Sequence, residues 1–142
     1  YLPILNEVDT ALITQYFTDN NISFCYPKIT AKNQPLHFIL SEKNQEFIHN
    51  KIYPELLETN SKIEVTPDFL IIPLVSFDNN LNRLGLGGGF FDRTIKHLKS
   101  KTTITTIGLA YNLQAHDTVL PLEATDQSLD FIVTESNIYV PS

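Results

Sequence analysis

Four of the chain's five glycines lie within five positions, Gly85 and Gly87–Gly89, and its only two arginines, Arg83 and Arg93, flank them. An almost continuously apolar stretch, 68–77, precedes this run, as expected of a strand buried on both faces. Glycine has no Cβ, so another molecule can approach the backbone closely. Guanidinium groups donate planar pairs of hydrogen bonds that suit phosphate or carboxylate. A buried strand followed by a glycine turn favours an α/β fold with an anion at the turn.

Patterns of apolar residues predict further strands and helices along the chain. Strands are predicted over 1–5, 22–26, 36–40, 68–77, 102–111 and 129–134, and helices from about 10 to 19 and over 91–101. Pro27 is expected to end the second strand and Pro73 to end or bend the fourth. Residues 41–66 are weakly periodic and are either helix or loop. Alternating strands and helices predict one α/β domain over residues 1–142 with a mostly parallel sheet.

Charge and composition narrow the class of ligand. The net charge of −6 argues against general nucleic-acid binding. Between Arg83 and Lys101 five basic side chains accompany a single acidic one, which suits one small anionic ligand. No apolar run is long enough to span a bilayer. The single cysteine, Cys25, can form no internal disulfide, so a cytoplasmic location is expected, with no membrane partner.

The glycine run fits neither of two common nucleotide-binding loops. No G-x-x-x-x-G-K-S/T pattern is present, and G-x-G-x-x-G started at Gly85 needs a glycine where Phe90 stands. Two interpretations stay open from the residues alone. The run is either a tight turn between strand and helix, or a cradle in which backbone N–H groups and a helix N-terminus bind an anion.

The glycine run resembles the motif of the 5-formyltetrahydrofolate cyclo-ligases, also called methenyltetrahydrofolate synthetases. The family motif reads F-D-x-x-G-x-R-L-G-x-G-G-G-Y-Y-D-R. This chain has Phe77-Asp78 and then Asn82-Arg83-Leu84-Gly85-Leu86-Gly87-Gly88-Gly89-Phe90-Phe91-Asp92-Arg93. The resemblance continues, in the family's order, at Glu7-Val8-Asp9-Thr10, at Gly108-Leu109-Ala110-Tyr111 with Gln114, and from Pro121 through Asp126 to Glu135.

This resemblance implies both a reaction and a fold. The family uses ATP and Mg²⁺ to close 5-formyltetrahydrofolate, with or without a polyglutamate tail, into 5,10-methenyltetrahydrofolate. A three-layer α/β/α fold is implied, similar to that of the sugar-phosphate isomerases and CoA-transferases, and a monomer is expected. Two alternatives are a non-enzymatic folate or phosphate binder on the same fold and an ATP-independent sugar-phosphate isomerase-like enzyme.

The resemblance also assigns residues to ligands. ATP would contact Arg83, Leu84, Gly85, Leu86, Gly87, Gly88, Gly89, Phe90 and Phe91. The folate would contact Leu2, Glu7, Leu86, Gly87, Gly88, Gly89 and Phe90. Mg²⁺ would be held by Asp92 and Asp126, since this ion prefers carboxylates, phosphates and water. No nucleophile or base is assigned, because phosphoryl transfer depends on positioning and charge neutralisation.

Three departures from the family pattern affect these expectations. Phe90 and Phe91 stand where tyrosines are usual, so no role is expected for a tyrosine hydroxyl at these positions. Leu81 stands where a turn glycine is usual, which puts the local turn geometry in question. The family begins with a basic helix that reaches the ATP phosphates, and none precedes Tyr1 in this sequence, so part of the nucleotide site is expected to be absent.

Overall fold

Two α-helices and eleven short strands form the structure, a computed structural model that describes residues 1–142. The helices are α1 (Ala11–Asp19) and α2 (Phe90–Lys99). The strands are β1 (Cys25–Lys28), β2 (His37–Leu40), β3 (Phe47–His49), β4 (Leu57–Thr59), β5 (Phe69–Pro73), β6 (Ser76–Asp78), β7 (Arg83–Leu84), β8 (Thr105–Leu109), β9 (Ala115–His116), β10 (Phe131–Val133) and β11 (Ile138–Tyr139).

The largest sheet has the strand order β11-β10-β8-β5. Strands β5, β8 and β10 run parallel, and β11 is antiparallel to β10. Smaller sheets pair β1 with β2, β3 with β4, and β6 with both β7 and β9. The fold is therefore mixed α/β with parallel and antiparallel strands, and the predicted parallel pairing is confirmed within the largest sheet.

Close packing at the centre of this sheet requires a glycine. Leu70 and Ile72 of β5 are almost fully buried and lie on one face of the strand, whereas Phe69 on the opposite face is exposed. The prediction that this strand is buried on both faces is therefore wrong. On the neighbouring strand, a Cβ at Gly108 would lie 2.7 Å from Leu129 Cδ1 and 2.9 Å from Leu74 Cδ2. The absent side chain thus lets the layer beside β8 pack directly on the strand backbone.

Helix α2 packs on the core, whereas α1 does not. Thr94, Ile95 and Leu98 of α2 are buried. The Thr94 hydroxyl accepts a hydrogen bond from the Leu36 N–H at 2.8 Å, which ties α2 to the segment leading into β2. Helix α1 has no buried residue. The three-layer arrangement therefore stays a prediction.

Three sequence-based element predictions are wrong. The segment 41–66 holds the hairpin β3–β4, whose first strand is wholly exposed and so carries no alternating apolar pattern. Pro27 lies within β1 opposite Phe38, which it can do because β1 has a partner on one side only. Residues Tyr1–Ile4 form no strand. Neither helix combines the length and apolar character that crossing a membrane requires.

Candidate functional site

A buried carboxylate shapes the turn that leads into the glycine run. Asp78, 2% exposed at the end of β6, accepts hydrogen bonds from the N–H of Asn80, the N–H and side-chain amide of Asn82, and the N–H of Leu120. Burial alone would raise the pKa of Asp78, but these donors together lower it below its ordinary value. Asp78 thus fixes both the β6–β7 turn and its distance from the later segment that contains Leu120.

Leu81 completes the same turn in a left-handed conformation. Its φ is +62°, a value that favours glycine, and its side chain is 1% exposed. Its N–H donates to the Asp78 carbonyl, and its carbonyl accepts from the Leu129 N–H. Burial of the leucine side chain offsets a backbone cost of about 1 kcal/mol. The turn therefore keeps a left-handed residue where the family motif has glycine.

The glycine run presents a row of backbone donors that the protein itself does not use. No N–H group from Gly85 to Asp92 donates a hydrogen bond to another part of the chain. The first three residues of α2 contribute to this row because N–H groups at a helix N-terminus have no partner within the helix. Consecutive donors beside the positive end of a helix are an anion-binding arrangement. The cradle interpretation is therefore favoured over the simple turn.

Backbone geometry in the loop depends on glycine at two positions. Gly87 has φ +95° and Gly89, the residue before α2, has φ +67°. The Arg93 guanidinium donates to the Gly88 carbonyl at 2.7 Å and lies 4.8 Å from the centre of the Phe90 ring. Arg93 thus holds the loop from the helix side rather than pointing its charge away from it.

Arg83, Asp92 and the segment containing Asp126 meet beside the loop. Arg83 Nη2 donates to Asp92 Oδ1 at 3.1 Å, and its side chain is 4% exposed. The Gln127 N–H donates to the same carboxylate oxygen at 3.0 Å. Burial lowers the pKa of Arg83, while the charges of Asp92 and Asp126 oppose this shift. Its Nε–H is buried without a hydrogen-bond partner.

These two aspartates fit a magnesium ion that takes its other ligands from phosphate and water. No cluster of three or more histidine, cysteine, aspartate or glutamate side chains is present. Asp92 uses only Oδ1 within the protein, and Asp126 only Oδ2, which accepts from the Glu123 N–H. Each therefore keeps one oxygen for a hard cation, and Mg²⁺ is commonly held by one or two carboxylates plus phosphates and waters.

Glu7 and Leu2 are the two residues near the N-terminus that the resemblance assigns to the folate. No hydrogen bond joins either of them to the cluster of Arg83, Asp92 and Asp126. Glu7 accepts a hydrogen bond from the Ile4 N–H at 2.9 Å within its own turn, and no hydrogen bond or ion pair joins it to the glycine loop. Burial raises the pKa of Glu7, an effect that this hydrogen bond opposes. Leu2 is half-buried. The two residues stay predicted folate contacts.

Two contributions to the site are not apparent from the sequence. Gln114 donates its side-chain amide to the Leu74 and Val75 carbonyls, so the segment after β8 is tied to the segment after β5. Tyr53, on the hairpin that sequence patterns missed, contacts the Phe90 ring. Gln114 belongs to a motif of the family, but the motif does not indicate which groups its side chain binds. No sequence pattern around Tyr53 indicates a contact with the glycine loop.

Two open grooves in the structure lie away from the loop. The first, of about 440 Å³, is lined by residues of 42–45 and 60–63. The second, of about 340 Å³, lies between the β1–β2 region and the C-terminal end of α2. No residue of the glycine run lines either groove. The candidate site is therefore identified by its hydrogen-bond donors and charged side chains, and not by either of these grooves.

The family resemblance implies that the glycine run binds ATP, and replacing Gly87 by alanine is expected to weaken that binding about tenfold. At φ +95° a Cβ strains the backbone by roughly 1–2 kcal/mol, and the loop relieves that strain by leaving the conformation that presents its donors. Thr102→Ala is the control, because Thr102 is exposed and lies beyond the C-terminal end of α2, outside the glycine run. Equilibrium dialysis with ATP compares the two variants, and equal affinities would contradict the prediction.

Comparison with known proteins places this arrangement in one family. Residues 1–135 match the model of the 5-formyltetrahydrofolate cyclo-ligase family. A 5-formyltetrahydrofolate cyclo-ligase of Escherichia coli is 35% identical over 107 residues, which are 73% of this chain and 58% of that protein. The chain thus spans less than two thirds of that relative.

Two solved structures share the fold. The 5,10-methenyltetrahydrofolate synthetase of Aquifex aeolicus matches with a TM-score of 0.76 and 27% identity, covering 97% of this chain and 68% of that one. The 5,10-methenyltetrahydrofolate synthetase of Mycoplasma pneumoniae matches with a TM-score of 0.65 and 29% identity, covering 92% and 67%.

Proposed function

The chain belongs to the 5-formyltetrahydrofolate cyclo-ligase family, and from that premise we propose that it catalyses the ATP-dependent conversion of 5-formyltetrahydrofolate to 5,10-methenyltetrahydrofolate. The formyl oxygen attacks the γ-phosphorus of ATP and ADP leaves. N10 of the folate then attacks the activated formyl carbon and loses its proton to the departing phosphate. The bond from that carbon to the phosphorylated oxygen breaks, and phosphate is released. No external nucleophile is required, which agrees with a site built from donors and carboxylates.

The row of unpartnered N–H groups from Gly85 to Asp92 is the observation that carries this proposal. A triphosphate presents successive anionic oxygens, and successive backbone donors match that spacing better than a single basic side chain would. The loop also lies at the end of the β6–β7 hairpin, next to the N-terminus of α2, so the helix dipole acts on the same ligand.

Arg83 is the charged side chain best suited to stabilise the phosphoryl group during its transfer. Its guanidinium is held in place by Asp92, so little side-chain entropy is lost when a ligand arrives. Charge that develops on the phosphoryl oxygens would meet a fixed cation in a largely dry environment, where electrostatic stabilisation is strong. Arg93, engaged with Gly88 and Phe90, serves to keep the loop in its donor-presenting shape.

Asp92 and Asp126 would hold Mg²⁺ through their free oxygens. When bound there, the ion neutralises phosphate oxygens of ATP. Glu7 would bind the folate, since a carboxylate can accept two hydrogen bonds from adjacent N–H groups of a pterin, and Leu2 would contact the same ring. We also propose that the protein is a cytoplasmic monomer with a three-layer α/β/α fold resembling that of the sugar-phosphate isomerases and CoA-transferases.

A spectrophotometric assay tests the proposed reaction. The methenyl product absorbs where 5-formyltetrahydrofolate does not, so absorbance should rise only when the chain, ATP, Mg²⁺ and 5-formyltetrahydrofolate are all present. Omitting each component in turn is the control. Folate binding without any rise would favour a non-enzymatic binder, and turnover of a sugar phosphate without ATP would favour the isomerase-like alternative.

A further inference from the structure

A buried polar cluster fixes the position of Tyr53 at the tip of the β3–β4 hairpin. Asn50, 4% exposed, uses its side-chain oxygen to accept from the N–H groups of Ile52 and Tyr53 at 2.8 and 2.9 Å. Its amide donates to the Ile29 carbonyl at 2.9 Å and to Glu58 Oε2 at 2.6 Å. Because the Asn50 side chain is hydrogen-bonded through both its oxygen and its nitrogen, it holds the hairpin tip in one conformation.

The same cluster attaches the hairpin to β1. Glu58 is buried, and its second oxygen lies 3.5 Å from Lys28 Nζ, so the carboxylate is paired as well as hydrogen-bonded. The Asn50 N–H donates to the Leu56 carbonyl and closes the turn between β3 and β4. Tyr53 is therefore held by the body of the protein rather than by a loose loop.

The ring of Tyr53 stands edge-on against Phe90 of the glycine loop. The ring centres are 5.8 Å apart and the planes are inclined at 87°, a favourable aromatic geometry. Phe90 contacts the Arg93 guanidinium as well, and a Cβ at Gly88 would lie 3.1 Å from its ring. Tyr53, Phe90 and Arg93 thus form a continuous aromatic and cationic wall beside the row of unpartnered N–H groups.

The Tyr53 hydroxyl has no hydrogen-bond partner in the protein. Tyr53 is half-buried and its hydroxyl is not among the buried polar atoms that lack a partner, so the hydroxyl reaches solvent. A rigidly held ring with a free hydroxyl next to a ligand-binding loop combines an apolar face with one donor and acceptor.

We infer that Tyr53 is a substrate-contacting residue that helps to determine specificity at the glycine loop. Its ring edge and hydroxyl receive the flat heteroaromatic part of the ligand, while the N–H row receives the phosphates. Asn50 is the positioning residue that orients it. This inference rests on the proposed function, because it assigns the pterin ring of the folate, rather than the adenine ring of ATP, to the Tyr53 side of the loop.

Two substitutions distinguish the contribution of the Tyr53 ring to folate binding from that of its hydroxyl. Tyr53→Ala is expected to raise both the KM and the equilibrium dissociation constant for 5-formyltetrahydrofolate about tenfold, since ring contact and hydrogen bond are lost together. Tyr53→Phe keeps the ring and is expected to raise them about threefold. The KM for ATP is expected to stay within twofold of the unsubstituted value in both variants. Tyr16→Ala, an exposed tyrosine on α1, is the matched control and should change none of these constants.

Equilibrium dialysis with 5-formyltetrahydrofolate is run beside the kinetics so that binding is read without turnover. Folate binding and turnover that are normal in both Tyr53 variants would overturn the inference and leave the proposed function standing. A rise in the ATP constant instead of the folate constant would assign Tyr53 to the nucleotide and overturn it too. An unsubstituted chain that binds no folate would overturn the inference together with its premise.

Discussion

Arg83→Ala is expected to lower kcat/KM for ATP-dependent cyclisation about 100-fold or more. Arg83 is a fixed, desolvated guanidinium at the loop that would receive the phosphates, and removing one such donor from a preorganised site commonly costs two to three orders of magnitude. Arg83→Lys keeps a positive charge but loses the planar fork, so an intermediate rate is expected. Steady-state kinetics with ATP varied at saturating folate measure both variants.

Lys96→Ala is the matched control for charge. Lys96 is an exposed cation on α2, and its removal changes the net charge equally without touching the loop. Because Asp92 loses a partner when Arg83 is removed, the thermal unfolding midpoint of each variant is measured first. A folded Arg83→Ala protein with the unsubstituted kcat/KM would show that Arg83 acts only as a structural partner of Asp92.

Asp78→Ala is expected to lower the free energy of unfolding by about 3 kcal/mol or more. The substitution leaves the N–H groups of Asn82 and Leu120 buried without an acceptor, and each unsatisfied group costs roughly 1–3 kcal/mol. Domains of this size are marginally stable, so the loss is a large share of the total. Urea unfolding followed by circular dichroism measures it. Asp68→Ala, an exposed aspartate whose side chain makes no hydrogen bond, should change the free energy little.

The contribution of Asp78 to the free energy of unfolding should also depend on pH. Its pKa is lower in the folded protein than in the unfolded chain, so its ionised form stabilises the fold at pH values above the unfolded pKa of about 3.9. That stabilisation is lost as the pH falls through the folded pKa. The difference between the unsubstituted chain and Asp78→Ala should therefore be full near pH 7 and shrink below about pH 4. A difference that is constant with pH would mean that Asp78 has the same pKa in the folded protein as in the unfolded chain, which would contradict the prediction.

Much of the candidate site could be predicted from the sequence, because it is local in the chain. Gly85–Gly89, Arg83 and Asp92 lie within ten positions, and any fold that continues from a strand into a helix keeps them together. Asp126 came from the family pattern, and the structure brings its segment to Asp92 through the Gln127 N–H. The roles of Asn50 and Tyr53 could not be predicted, since polar residues in a hairpin carry no pattern that distinguishes a structural hydrogen bond from a ligand contact.

The helices and the buried strands were predictable for a related reason. Burial of one face of a helix or of a strand leaves a repeating apolar pattern, as in α2 and β5. The hairpin β3–β4 is half-exposed and held by side-chain hydrogen bonds, so no such pattern marks it. Pro27 shows the converse case, in which tertiary pairing on one side accommodates a residue that local rules exclude from a strand.

The sequence by itself determined that a glycine turn joins a strand to a helix with an arginine on either side, and it left open whether that turn presents its backbone donors to an anion. This follows from backbone geometry and from charge that is near in the chain. Only the tertiary structure decided how each arginine is held, because Arg83 is paired with Asp92 whereas Arg93 is bonded to the Gly88 carbonyl. It also decided that Tyr53 stands beside Phe90, since contacts between distant segments depend on packing that no local pattern encodes.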